Sequence, residues 1–177
     1  MRQQACLNRK LNVMKSICLF FGVLAATVML GACSKGETID LTADNLTKCS
    51  ECEFYYHANA QLDGLRLVDG SSGVFTYKEY WDPKRVSSNY TGLFIEIPSS
   101  KASFVIKGAA IGNGKVAHII MCPNCGVIAT KPVNGFIQGQ KVADNKWLVD
   151  ATVELVAVHS GEPAGSVSFK QYFTPAP

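Results

Sequence analysis

The region from residue 146 to residue 158 alternates between apolar and polar positions with the period of two that a half-buried β-strand requires. Its apolar positions are Trp147, Val149, Ala151, Val153, Leu155 and Ala157. Asp150, Thr152 and Glu154 occupy positions between them. The pattern predicts a strand with one face in a core and the other face in solvent.

Eight further segments are rich in aromatic and β-branched residues, which favour strands. These segments are residues 53–60, 74–81, 92–97, 103–111, 115–121, 127–133, 136–142 and 166–173. Convincing helical periodicity is missing from every stretch of ten or more residues. The sequence therefore predicts an all-β domain of about nine strands.

Short turn sequences separate the strands in the second half of the chain. Asn113-Gly114 and Asn134-Gly135 favour tight two-residue turns, because Asn and Gly accept positive φ angles. Asp144-Asn145 gives a further turn, and residues 161–165 form a looser loop. We expect residues 103–111 to form a hairpin with 115–121, and 127–133 to form one with 136–142. Such turns predict an antiparallel meander that folds into a β-sandwich or a partly closed barrel.

The N-terminal segment has a different character. Arg9, Lys10 and Lys15 flank residues 16–30, an uncharged and mostly apolar stretch that is short for a membrane span. It ends in Leu30-Gly31-Ala32-Cys33, which resembles the lipobox of bacterial lipoproteins. The resemblance implies a signal peptide over residues 1–32, cleavage before Cys33, and diacylglycerol and palmitate-type acyl chains on that residue. Translation could start at Met1 or at Met14.

Cleavage would shorten the 177-residue chain by 32 residues and leave enough for one domain. We assign residues 33–48, which are polar and aperiodic, to a lipidated tether, and residues 49–177 to a single β domain. Four of the 17 Lys and Arg residues lie in the leader, so the rest carries 13 basic and 14 acidic side chains. The remainder has no basic run, and we expect no nucleic-acid partner. Ser34 is not the aspartate that retains lipoproteins in the inner membrane of enteric bacteria, which favours an outer-membrane location.

Four cysteines remain after the leader and Cys33, in two C-x-x-C pairs: Cys49 with Cys52, and Cys122 with Cys125. Cys122-Pro123-Asn124-Cys125-Gly126 resembles the knuckle of rubredoxins and zinc ribbons. The resemblance implies that the two pairs together form a tetrahedral four-sulfur zinc site. Disulfides that cross-link the two pairs are the alternative, because an exported protein meets an oxidising compartment. A redox-active dithiol is a third interpretation, but it requires a helix after the first cysteine, and residues 127–130 read as a strand.

Two other groups are candidates for a site. His118 lies an even number of residues before Cys122, so both could face the same way on a strand, although a partly buried strand histidine is the simpler interpretation. Tyr77, Tyr80 and Trp81, followed by Asp82, Lys84 and Arg85, form an aromatic cluster beside charges. Such a cluster suits a sugar or a protein partner, and core packing is its alternative explanation.

The sequence lacks a recognisable constellation of nucleophile, base and orienting group, so we expect a protein without catalytic activity. The leading hypothesis is a lipid-anchored protein of the bacterial cell envelope that binds membrane lipid through acylated Cys33 and an envelope protein or ligand through its β domain. A redox or electron-transfer protein that uses the C-x-x-C pairs is one alternative. A carrier that encloses a small ligand is another.

Overall fold

The computed structural model describes residue 39 and residues 41–82, 89–123, 126 and 128–177. The predicted leader, Cys33 and Cys125 lie outside the described residues. The described chain is all-β, as the alternation predicts. Its strands are β1 Cys52–Asp63, β2 Arg66–Tyr80, β3 Tyr90–Pro98, β4 Ser103–Lys107, β5 Val116–Met121, β6 Thr130–Ala143, β7 Lys146–Ala157 and β8 Pro163–Pro175. A short 3₁₀ helix, Gly108–Gly112, lies between β4 and β5.

The strands form one sheet in the order β4-β6-β7-β8-β1-β2-β3-β5. All neighbours are antiparallel except β1 and β8, which pair in parallel only at Tyr55 with Thr174 and Tyr56 with Pro175. The sheet folds across this short seam, so that β1, β2, β3 and β5 (layer one) face β4, β6, β7 and β8 (layer two). The edge strands β4 and β5 do not pair with each other in the described chain, so the sheet is an open, sandwich-like structure.

Aromatic rings fill much of the space between the layers. Phe75 of layer one is fully buried, with its ring centroid 5.2 Å from that of Trp147 and 5.4 Å from those of Phe104 and Phe173. The alternation predicted for β7 is confirmed. All six apolar positions predicted for its inner face are buried: Trp147, Val149, Ala151, Val153, Leu155 and Ala157. Leu148 on the opposite face is buried as well.

The β1–β2 hairpin bends at Asn59, which has φ 56°, where the pairing register shifts. Its tip lies over the outer face of layer one, where the Leu62 N–H donates to Glu96 Oε2 at 2.8 Å. Ser72 and Lys115 bind Glu96 Oε1. Burial alone raises the pKa of Glu96, but these bonds together lower the pKa below its ordinary value. A small second core lies beneath the tip: Ala60, Val74, Phe94 and Ala117.

The predicted hairpin between residues 103–111 and 115–121 is wrong. β4 ends at Lys107 and pairs with β6, whereas β5 pairs with β3 at the opposite edge of the sheet. Gly108, with φ 58°, starts the 3₁₀ helix that leads the chain from layer two to layer one. The positive φ of Gly114 therefore serves a crossing loop and not a tight hairpin.

The predicted turn at Asn134-Gly135 is also wrong, because both residues lie inside the continuous strand β6. The register of β6 against β7 shifts between Pro132 and Asn134, so this site is a β-bulge. Gly135 has φ 136°, and a Cβ there would lie 2.1 Å from the Thr152 carbonyl oxygen. Two predicted strands thus merge into one, which leaves eight in the described chain. The Asp144-Asn145 turn is confirmed.

The last residues assigned to the tether contact β8. The Thr47 N–H donates to the Lys170 carbonyl at 2.8 Å, and the Lys170 N–H donates to Thr47 Oγ1 at 2.9 Å. Asp44 forms an ion pair with Lys170 at 3.0 Å. Asp44 and Thr47 therefore lie against β8.

Candidate ligand-binding site

The two layers separate at one end of the sandwich and leave a cavity of about 390 Å³ that is half open to solvent. Two rows of layer one cross this end, and neighbours in each row are directly paired. The outer row is Cys52, Glu79, Thr91 and Ile120, and the inner row is Phe54, Tyr77, Leu93 and His118. Directly paired residues point to the same face of a sheet, so both rows face layer two.

Layer two supplies the opposite wall of the cavity through Leu155 on β7 and residues 164–168 on β8. The volume is typical of small-molecule sites, which enclose about 300–1,000 Å³. Apolar side chains alternate with polar groups in both walls of the cavity. The apolar ones include Leu155 and Val167 of layer two and Ile120 of layer one. The cavity is therefore a mixed surface on which polar groups can orient a small ligand.

Tyr77 and Glu79 form a hydrogen-bonded pair on the layer-one wall. The Tyr77 hydroxyl donates to Glu79 Oε2 at 2.8 Å and lies 3.9 Å from Cys52 Sγ. Burial first, and then the hydrogen bond and charge of Glu79, raise the pKa of Tyr77 far above its ordinary value. Tyr77 thus stays a neutral donor at physiological pH and holds the Glu79 carboxylate at the cavity as an acceptor.

Among the polar side chains of the cavity wall, His118 has a ring nitrogen without a hydrogen-bond partner in the described chain. Its side chain is buried, and Nδ1 lies 2.6 Å from Thr130 Oγ1 on β6. Nε2 is inaccessible to solvent and has no hydrogen-bond partner in the described chain. Burial lowers the pKa of His118, so the ring is neutral at pH 7. A buried polar atom without a partner costs about 1–3 kcal/mol, so binding that opens the wall at His118 and gives Nε2 a partner would recover this cost.

The free edge of β8 adds backbone groups to the same wall. Lys170 directs its N–H and carbonyl away from β7 to Thr47, and the Tyr172 N–H bonds to the Gln171 side chain. Backbone directions repeat every second residue in an antiparallel strand, so Ser168 and Ser166 also direct their N–H and carbonyl groups away from β7. β1 pairs with β8 only at Tyr55 and Tyr56 in the described chain, where the groups of Ser166 and Ser168 on this side have no backbone hydrogen bond.

The aromatic cluster predicted as a binding surface is divided by the structure. Tyr77 lies in the cavity wall, while Tyr80 lies on the outer face of layer one, where its hydroxyl bonds to Glu53 at 3.0 Å. Trp81 lies beside the cavity, because its Nε1 donates to Thr91 Oγ1 at 3.1 Å. Its side chain is 46% exposed. Lys84 and Arg85 lie outside the described residues.

The cysteines form a disulfide within the first pair, between Cys49 and Cys52. The predicted cross-link between the two pairs is therefore wrong for these two residues, because Cys49 bonds to a cysteine only three positions away. Cys122 is also disulfide-bonded, and Cys125 lies outside the described residues. Within the described ranges, no group of three or more His, Cys, Asp or Glu side chains could hold a metal ion. The four-cysteine zinc site stays a prediction.

Several wall residues were not found from the sequence. Glu79 follows Tyr77 by two positions and shares its strand face, so the period of two could have revealed it. Thr91 had no local signal, because its importance comes from its contact with Trp81. Ser166 and Ser168 contribute backbone groups, which every residue has. Their availability depends on which strands lie beside β8.

No helix among the described residues combines the length and the apolar character that are needed to cross a bilayer. No known protein family matches this sequence, and no curated protein or solved structure is significantly similar to it.

Proposed function

We propose that this protein is a lipid-anchored bacterial envelope protein whose β domain binds a small ligand in the cavity between its layers, without catalysis. The anchor is supported by the apolar segment 16–30 and by the Leu30-Gly31-Ala32-Cys33 sequence. An outer-membrane location rests on Ser34 after the lipidated residue. Acyl chains on Cys33 would hold the domain at the membrane surface.

The observation that carries the binding proposal is His118. Its Nε2 is buried without a partner in the wall of a cavity that both layers line. Folded proteins pair the great majority of their buried polar atoms, so an exception in a cavity wall marks a position for a ligand atom. A binding role is favoured over catalysis because the second ring nitrogen of His118 has no partner among the described residues, so no third group orients the His118–Thr130 pair as a catalytic base requires.

The cysteines have a structural role in this proposal. The Cys49–Cys52 disulfide fixes the start of β1 beside Tyr77. We propose Cys125 as the partner of Cys122. A redox role has less support, because Cys52 opens a strand and the helix N-terminus that activates thioredoxin-like cysteines does not follow it. Thiol counting with metal analysis on the purified chain tests this point. Stoichiometric zinc or iron with four free thiols would overturn it.

Metabolic labelling tests the anchor. Cells that express the full chain receive an alkyne-bearing palmitate analogue, and the protein is recovered from the membrane fraction. We expect label on the wild type and on Cys18→Ser, and none on Cys33→Ser. An unlabelled, full-length wild-type chain in the cytosol would contradict the lipoprotein proposal.

Histidine NMR tests the cavity. The full chain, labelled at its histidines and held in detergent micelles, is titrated with a set of sugars, amino acids, short peptides and fatty acids. We expect at least one class to shift the His118 resonances while those of exposed His159 stay fixed. Leu155→Trp, which fills the cavity, should abolish the shift. If every compound leaves His118 unchanged, the proposed function is wrong.

A further inference from the structure

We infer that the ligand of this cavity is a neutral sugar, bound with its hydroxyl groups on Glu79, His118 and the open edge of β8 and with one ring face on Trp81. The inference rests on the proposed function and adds the chemical class of the ligand. Four independent features of the described residues lead to it.

The first feature is the mixture of hydrogen-bonding groups. Glu79 only accepts, whereas the Ser166 and Ser168 main chains present both N–H donors and carbonyl acceptors. His118 Nε2 adds one more donor or acceptor, according to its tautomer. A hydroxyl group donates one hydrogen bond and accepts two, so several hydroxyl groups on one ring satisfy such a mixed set. A ligand with acceptors only would leave Glu79 and the carbonyls unpaired.

The second feature is charge. The described residues that line the cavity include one carboxylate, Glu79, and no Lys or Arg side chain. An anionic ligand would meet repulsion from Glu79 without a compensating cation. A cationic amine would pair with Glu79 but would leave the open N–H groups of β8 without acceptors. A neutral ligand avoids both penalties.

The third feature is Trp81. Its backbone N–H donates to the Asn89 carbonyl at 3.2 Å and its Nε1 donates to Thr91 Oγ1. One bond holds the main chain of Trp81 and the other orients its indole, while 46% of the side chain stays exposed. A fixed aromatic plane loses little entropy on binding and offers an apolar surface. The C–H face of a pyranose ring is the complementary surface of a sugar.

The fourth feature is the short length of the open β8 edge, which separates a sugar from an extended peptide. Strand addition needs a ladder of main-chain hydrogen bonds along an exposed edge. Here Thr47 covers the edge at Lys170, and β8 begins at Pro163, which has no N–H. The groups of Ser166 and Ser168 between these limits suit a compact ligand better than a strand.

Isothermal titration of the acylated full chain tests the inference, in a detergent whose head group is not a sugar. The probes are glucose, galactose, mannose, N-acetylglucosamine and cellobiose, with glucuronate and glucosamine as charged counterparts. We expect at least one neutral sugar to bind more tightly than both charged counterparts. Trp81→Ala and Glu79→Gln should each weaken this binding at least about tenfold.

Tyr80→Ala and Glu53→Gln are matched controls, because they change an aromatic ring on β2 and a carboxylate on β1 that both lie on the outer face of layer one. Both should bind the sugar as the wild type does. Near-ultraviolet circular dichroism checks that each variant is folded. Sugar binding that survives both Trp81→Ala and Glu79→Gln would overturn the inference, because the sugar would then bind elsewhere.

The NMR titration distinguishes failure of the sugar inference from failure of the proposed binding function of the cavity. If amino acids, peptides or fatty acids shift His118 and the sugars do not, the sugar inference is wrong and the cavity function stands. Tighter binding of glucuronate or glucosamine than of every neutral sugar also overturns the sugar inference. If no probe of any class shifts His118, both proposals fail.

Discussion

The two ends of the space between the layers differ in what fills it. At the packed end, Phe75, Phe104, Trp147 and Phe173 interlock, and the Phe104 ring lies so close to Gly139 that a Cβ there would be 2.2 Å from it. At the open end, the same two layers leave a cavity beside Tyr77, Glu79, Thr91 and His118. Large rings close the space, whereas shorter polar side chains leave it open. The comparison teaches that one sandwich can keep its stability at one end and its binding surface at the other.

The largest effect on stability is expected from a substitution at the packed end. Phe75→Ala removes a fully buried ring that contacts four other rings, and it should lower the free energy of unfolding by about 3–5 kcal/mol. Urea denaturation measures the change, with Phe75→Leu as a milder control. Thr91→Ala at the open end should cost about 1 kcal/mol, the value of one hydrogen bond. Equal losses in Phe75→Ala and Thr91→Ala would show that the two ends do not differ in packing.

The next largest effect on stability is expected from loss of the Cys49–Cys52 disulfide, which lies at the border of the open end. Replacement of Cys49 and Cys52 by Ser frees the start of β1 and should lower the free energy of unfolding by about 2 kcal/mol, because the closed loop is short. Reduction of the wild type with dithiothreitol should cost more, because it also opens the disulfide of Cys122. Cys122→Ser should also destabilise the domain without abolishing export. A chain that unfolds identically before and after reduction would contradict a structural role for the cysteines.

The third effect is a pH dependence at the open end. The pKa of His118 lies below its ordinary value of 6.5 because the ring is buried. Below pH 6.5 the unfolded chain therefore takes up a proton that the folded chain refuses, and the free energy of unfolding falls as the pH falls towards the folded pKa. Urea denaturation between pH 7.5 and 5.5 should show this loss.

His118→Gln should reduce the slope of stability against pH in this window. His57→Gln removes a second contribution of the same sign, because burial and then Lys78 lower the pKa of His57. It serves as the reference for a histidine outside the cavity. An unchanged slope in His118→Gln would mean that His118 titrates normally in the folded protein.

The smallest effects on stability come from the residues expected to matter most for binding. Glu79→Gln alters an exposed side chain, so it should change the free energy of unfolding by less than about 0.5 kcal/mol. Trp81→Ala also removes the hydrogen bond to Thr91 and should cost about 1 kcal/mol. Thermal unfolding of both variants beside the wild type measures this. Losses as large as that of Phe75→Ala would place these residues in the core and remove the contrast between the ends.

The hydrophobic pattern of the sequence predicted well where strands form. It predicted less well which strands pair with each other. The alternation along β7 follows directly from burial of one face, so Trp147 and Val153 were assigned correctly. Asn113-Gly114 and Asn134-Gly135 carry the same turn signal as a hairpin, but one lies in a crossing loop and the other in a bulge. A positive φ angle is a local property that a hairpin turn, a crossing loop and a β-bulge all require. Which of these three forms depends on strand pairing far along the chain.

The same limit applies to the cavity. Tyr77 and Trp81 were identified from their type, and Tyr80 was grouped with them because it is adjacent in sequence. A strand alternates its faces, so Tyr80 had to point away from Tyr77. His118 was noted only for its spacing to Cys122, while its unpartnered Nε2 depends on the contact with Thr130 and on burial by the other layer. Such properties come from tertiary packing.

The seam between β1 and β8 has a consequence for how the protein is made. It joins the two ends of the domain, and the neighbouring contact of Thr47 with Lys170 spans 123 positions. Closure of so long a loop is entropically costly, so the local meanders β1–β2–β3 and β6–β7–β8 can form before the seam does. A nascent chain that has not yet emerged past β7 therefore has only part of the second cavity wall. The proposed ligand would therefore meet a complete cavity only after β8 has been synthesised.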